Sequence, residues 1–131
     1  MRREHFVQYH NPERFGPASE DLVIHTNKPV ARLPGHVVWL VLGEGRPRRY
    51  ALGKVFLVDE VGPLSGDEFS HYVRGTEGHF FRPAIWLSDE SWFPGFLRSQ
   101  ANFSLGLRRI GQTPVVAALR ALAIEHGCVL P

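Results

Sequence analysis

The sequence predicts an α+β domain, built as a small, strongly bent mixed sheet or barrel of five or six strands with peripheral helices and a C-terminal helix. Three observations carry this. Short β-branched and aromatic runs alternate with Gly- and Pro-containing turns through the first two-thirds of the chain. The clearest helical periodicity comes last, from Thr113 to His126. Strands first and helix last is the α+β order. At 131 residues and 14.8 kDa, residues 1–131 form one domain.

The elements follow in order. His5 to Tyr9 is a first strand, stopped by the turn former Asn11-Pro12. Asp21 to His25 reads as strand or short helix, broken by Thr26-Asn27-Lys28-Pro29. His36 to Leu42 is β-branched, aromatic and nearly all apolar, which suits a strand buried on both faces. After the turn Gly43–Pro47, Tyr50 through Val61 reads as one long strand, with a bulge or bend at Gly53. Phe69 to Arg74 and Phe80 to Leu87 are further strands, and Pro83 places the second at an edge or bulge. Ser91 to Leu97 is a loop entering a helical turn, and Asn102 to Ile110 is extended. In the last element Thr113 serves as N-cap and Pro114 as first helical residue. Val115, Val116, Leu119, Leu122 and Ala123 form an apolar stripe, and Gly127 ends it.

Composition narrows the class. Apolar residues are 44% and charged residues 21%, enough for a core and too few charges for a disordered chain. Cys128 is the sole cysteine, which excludes an intrachain disulfide and a Cys-based zinc site and fits a reducing, cytoplasmic setting. No apolar run approaches a membrane span, and the N-terminus lacks the apolar core of a signal peptide. Of fifteen basic residues only Lys28 and Lys54 are lysines. Arginine forks grip phosphate and stack on bases, although a biased gene composition produces the same excess. The net charge of +2 permits nucleic-acid binding without demanding it.

The order of segments resembles a PUA-like domain, closest to the EVE branch, related to YTH and ASCH domains. The resemblance rests on the opening Phe6-Val7-Gln8-Tyr9-His10-Asn11-Pro12-Glu13. It continues through Pro34-Gly35 ahead of the apolar strand His36–Val41, Leu52-Gly53-Lys54-Val55-Phe56-Leu57-Val58, and Asn102–Ile110 before the closing helix. His10-Asn11-Pro12 replaces the Ser-Glu-Pro usual in the EVE opening, and Thr26-Asn27-Lys28-Pro29 replaces its Asn- and Arg-rich loop. The resemblance implies a PUA-like barrel with a pocket for one flipped-out base of DNA or RNA, often a modified one. Such a pocket needs aromatic walls for the π-faces and fixed donors and acceptors for the polar edge.

Several residues offer that chemistry. Tyr9, His10 and Asn11 offer a ring, a two-way hydrogen-bonding imidazole and an amide, or else a turn beginning at Asn11. Thr26, Asn27 and Lys28 offer edge or phosphate contacts, or a solvated loop. Trp86 and Trp92 are the expected stacking rings, with Trp92 favoured, and Trp39 belongs to the core. Asn102 and Ser104 flank Phe103 as further lining residues or as a turn. Arg46, Arg48 and Arg49 are the expected phosphate contacts, or a solubilising turn. No nucleophile elbow or P-loop is present, and no cofactor is expected. The seven histidines show no metal-binding spacing. An ASCH-like hydrolase or ribonuclease using Thr26, Lys28 and Glu44 is the alternative from another class, and a filled barrel serving as an interaction domain is a third. A solvent-open aromatic cavity without a buried Lys–carboxylate pair favours the reader over the hydrolase.

Overall fold

The computed structural model describes residues 2–66, 68–104 and 106–128. Its class is α+β. Eight strands occur among the described residues: β1 (His5–His10), β2 (Val23–Thr26), β3 (Val37–Glu44), β4 (Arg49–Leu57), β5 (Glu60–Pro63), β6 (His71–Arg74), β7 (Glu77–Trp86) and β8 (Arg108–Arg109). The helices are α1 (Pro12–Phe15), α2 (Phe93–Ser99) and α3 (Thr113–Glu125), with a 3₁₀ turn at Ala101–Phe103.

The strands pair into two sheets, ordered β7-β4-β3-β1-β8 and β2-β6-β5, and the ladders do not close into the single five- or six-stranded barrel expected. The expected strand Tyr50–Val61 is where the difference arises. Val58 donates its backbone N–H to His36 at 2.8 Å, whereas Asp59 donates to Arg74 at 2.8 Å. The chain therefore changes sheets between these two residues. The Asp59 carboxylate then fixes the crossing by accepting from the Thr76 N–H and hydroxyl at 2.9 and 2.7 Å.

β3 is buried along both faces, which accounts for its unbroken apolar run. It pairs parallel to β1 and antiparallel to β4. One face of the large sheet presents Val7, Trp39, Val41 and Val55 to α2 and α3, through Phe93, Phe96, Val115, Leu119 and Ala123. The other presents Val38, Leu40 and Phe56 to Ile24 and Val73 of the small sheet. The order through the molecule is helices, large sheet, small sheet.

Gly53 is the extra residue of a bulge. Against β3, Leu40 pairs with Lys54 and Val41 with Leu52, leaving Gly53 unpaired. The register with β7 shifts at the same place, from Leu52–Ile85 to Lys54–Phe80, with the extra residues on β7. β7, carrying Pro83, is an edge strand. Two local expectations are corrected. The segment Asn102–Ile110 is not one extended piece, because Asn102 lies in the 3₁₀ turn at φ +55° and only Arg108–Arg109 pairs, with β1. Thr113 is the first helical residue rather than the N-cap. Gln112 takes that position with an extended backbone and makes no side-chain cap. Leu105, which fell within the expected extended segment, lies outside the described residues.

Candidate functional site

A cavity of about 760 Å³ opens between the inner face of the large sheet and strand β2. Its origin is visible in β1. Phe6 packs into the core between the sheets, but the next residues on that face, Gln8 and His10, are polar and line the cavity. The floor is made by buried Ile24, Thr26, Leu40 and Lys54, and exposed His25, Asn27, Lys28 and Glu68 stand at the mouth.

One wall is an arc of four rings. His10, Phe15, Phe69 and His25 follow one another with centroids 6.1, 5.6 and 6.2 Å apart and mutual tilts of 40–54°. Caps and loop clamps position His10, Phe15 and Phe69. Asn11 caps α1 by accepting the Glu13 N–H at 3.0 Å, and Pro12 opens the helix. Gly16, at φ +79°, ends it after one turn. The imidazole of His10 bonds the Gly16 carbonyl at 2.7 Å, and the Glu13 carboxylate accepts from the Gly45 N–H at 3.1 Å. Phe15 is thereby held at the mouth and left 39% exposed, although it is a large apolar residue. Phe69 is set by Asn27, whose amide donates to the Glu68 carbonyl and accepts from the Ser70 N–H, both at 2.8 Å.

Lys54 anchors the opposite wall. Its ammonium donates to the carbonyls of Ser19, Asp21 and Val23 at 3.0, 2.8 and 2.8 Å. All three donors are used, which satisfies a side chain 1% exposed. Burial pulls its pKa down to about 8, which leaves it largely protonated at neutral pH. A protonated, fully bonded ammonium has no lone pair to offer as a nucleophile.

The predicted residues divide. Tyr9, His10, Thr26, Asn27 and Lys28 line the cavity together. Within that group the Tyr9 ring stacks on Phe103 at 5.9 Å and receives a hydrogen bond from Arg48, so it is engaged on the other side of the sheet. Asn27 is a clamp for the aromatic loop, and the Thr26 hydroxyl accepts from the Lys28 N–H at 3.1 Å. Asn11, Trp86, Trp92, Asn102 and Ser104 do not line the cavity. Asn11 is the helix cap. Trp92 packs against Phe93 and Phe96 on the helical side. Ser104 bonds the Ala101 carbonyl at 2.6 Å, closing the 3₁₀ turn.

Trp86 is 41% exposed, with the Arg49 guanidinium 4.2 Å from its ring centroid. Arg46, Arg48 and Arg49 are exposed around the β3–β4 turn, and Arg49 also faces Asp89 at 3.4 Å. Lys28 is exposed and Glu44 does not line the cavity, so the Thr26–Lys28–Glu44 set is not assembled there. Among the described residues no group of three or more His, Cys, Asp or Glu side chains is placed to hold a metal ion.

Phe15, Phe69, His25, Gln8 and Lys54 are site residues that sequence reasoning missed. Phe15 carried a usable signal, since it sits in a one-turn helix between Asn-Pro and Gly, too short to bury it. No family model, curated protein or solved structure matches the chain. No helix among the described residues is long and apolar enough to cross a membrane.

Proposed function

We propose that this chain is a reader of nucleic acid that holds one unstacked base, modified or not, in the cavity beneath the arc of rings. The arc is the observation that carries the reading. A base brings two π-faces and a polar edge, and tilted rings can stack on a face while meeting an edge. The Lys28 ammonium and Thr26 hydroxyl supply donors, and the Gln8 amide oxygen and Glu68 carboxylate supply acceptors at the same cavity. The volume falls within the roughly 300–1,000 Å³ of small-molecule sites. Arg14, 4.9 Å from the Phe15 centroid, and Lys28 put positive charge at the mouth, where the backbone phosphates of a flipped nucleotide would lie.

The fold expectation belongs to the same proposal. Two sheets packed face to face, a bulged β4 and a parallel β1–β3 pair support a PUA-like reading of the EVE type, against which stands the open edge of both sheets. A cytoplasmic location, expected from the lone free Cys128, is part of the same proposal. Among the described residues no lysine is ion-paired with a carboxylate, and Lys54 is committed to carbonyls, which favours binding over hydrolysis.

The test is a binding screen of the pure protein against single-stranded DNA and RNA oligonucleotides carrying single modified bases. The reading expects saturable binding, competed by the matching nucleoside monophosphate and weakened by salt. Binding that no mononucleotide competes would contradict a one-base pocket.

A further inference from the structure

We infer that Trp86, with the Arg49 guanidinium over its ring, is a second stacking platform outside the cavity. It takes a base a few nucleotides along the same single strand, an inference that rests on the one-base reading of the cavity.

The strand register supplies the geometry. His10 at the cavity pairs with Leu42, Leu42 with Ala51, and Ala51 with Trp86. Directly paired residues project from the same face of a sheet. Trp86 therefore stands on the cavity's face of the large sheet, in the row that begins at His10. Three strand spacings of about 4.8 Å separate the two positions by roughly 14 Å. A stacked strand rises about 3.4 Å per nucleotide, so roughly four nucleotides span the gap, and fewer when the strand is extended.

The chemistry fits a nucleotide. Trp86, 41% exposed at the end of an edge strand and outside both core clusters, offers a π-surface at the protein's exterior. Arg49 lies over the ring, as guanidinium groups do in stacked nucleic-acid contacts. Its ion pair with Asp89 joins two exposed side chains and is weak, so a phosphate can displace it. Arg46 is exposed in the turn that leads to Arg49, while Arg48 turns to Tyr9 on the other face, and the acidic neighbours on this side are Glu44, paired with Arg49 across the strands, and Asp89.

The test uses the full chain, a panel of nucleoside monophosphates, and single-stranded oligonucleotides of increasing length carrying the preferred nucleotide centrally. Affinity should rise about tenfold or more once the strand is long enough to reach Trp86. Trp86→Ala should remove that gain and leave mononucleotide affinity unchanged, while Trp86→Phe should keep part of it. A length gain that survives in Trp86→Ala overturns the inference, as does the absence of any length gain where mononucleotide binding is intact. If oligonucleotide binding depends on Trp86 but not on Phe69, the cavity reading fails and the platform stands. If no probe of any length binds, both fail.

Discussion

The Lys54 ammonium lies 2.8 Å from the Val23 carbonyl, joining the floor of the cavity to the strand that forms its side. With its bonds to Ser19 and Asp21, this single side chain fixes the segment that carries Ala18 and Ser19 along the cavity wall. Replacement by methionine keeps the stem and strands three carbonyls. Lys54→Met should therefore lower stability by about 2–3 kcal/mol. Limited proteolysis should become faster between Gly16 and Leu22. Unaltered cleavage there would show that the segment is held by other contacts.

Acid should destabilise the protein through His5. The Trp39 indole N–H donates to His5 Nδ1 at 2.9 Å, which requires that nitrogen to be unprotonated. Burial above all, then the charges of Arg120, Arg3 and His36, lower the pKa from 6.5 to about 4. The unfolded chain thus binds the proton more readily. The associated stability is present above pH 6.5 and is lost as pH falls through 4, a change of about 3 kcal/mol. Denaturant midpoints measured across that window should fall with pH, and His5→Gln should flatten the slope.

Trp92 should behave as a packing residue. It touches Phe93 and Phe96 at centroid distances of 5.9 and 6.1 Å and is half-buried. Trp92→Ala should cost about 2–3 kcal/mol, below the ~3–5 kcal/mol of a fully buried ring. Nucleotide affinity of the folded variant should not change. A selective loss of affinity would return Trp92 to the site.

Helix α3 is a structural lid on the large sheet. Leu119 is fully buried between the helix and that sheet. Leu119→Ala should cost about 2–5 kcal/mol, read from chemical denaturation. A smaller effect would mean that α3 is loosely docked.

The two-sided strand β3, the bulge at Gly53, the edge position of Pro83 and the C-terminal helix were all legible, because apolar pattern, glycine and proline constrain the backbone locally. The sheet change at Val58–Asp59 was hidden. Both halves are strand, and only their tertiary partners, His36 and Arg74, separate them. The site was half legible. His10 and Thr26 to Lys28 stood out as polar residues closing apolar strands. Phe15 and Phe69 did not, since α1 and the loop clamped by Asn27 bring them together from 54 residues apart. Trp86 and Trp92 drew attention by size and lie elsewhere.

The central claim is that the arc of rings binds a single base, and Phe69 offers the most direct test. The decisive measurement is calorimetric titration of the wild-type protein and Phe69→Ala with the best mononucleotide from the panel. Thermal unfolding of both should be recorded alongside. A base held by the arc should bind one-to-one, with affinity reduced about tenfold or more in the variant, as expected for loss of a stacking partner, and little change in unfolding temperature. Equal affinity in the two proteins, with the variant still folded, would contradict it.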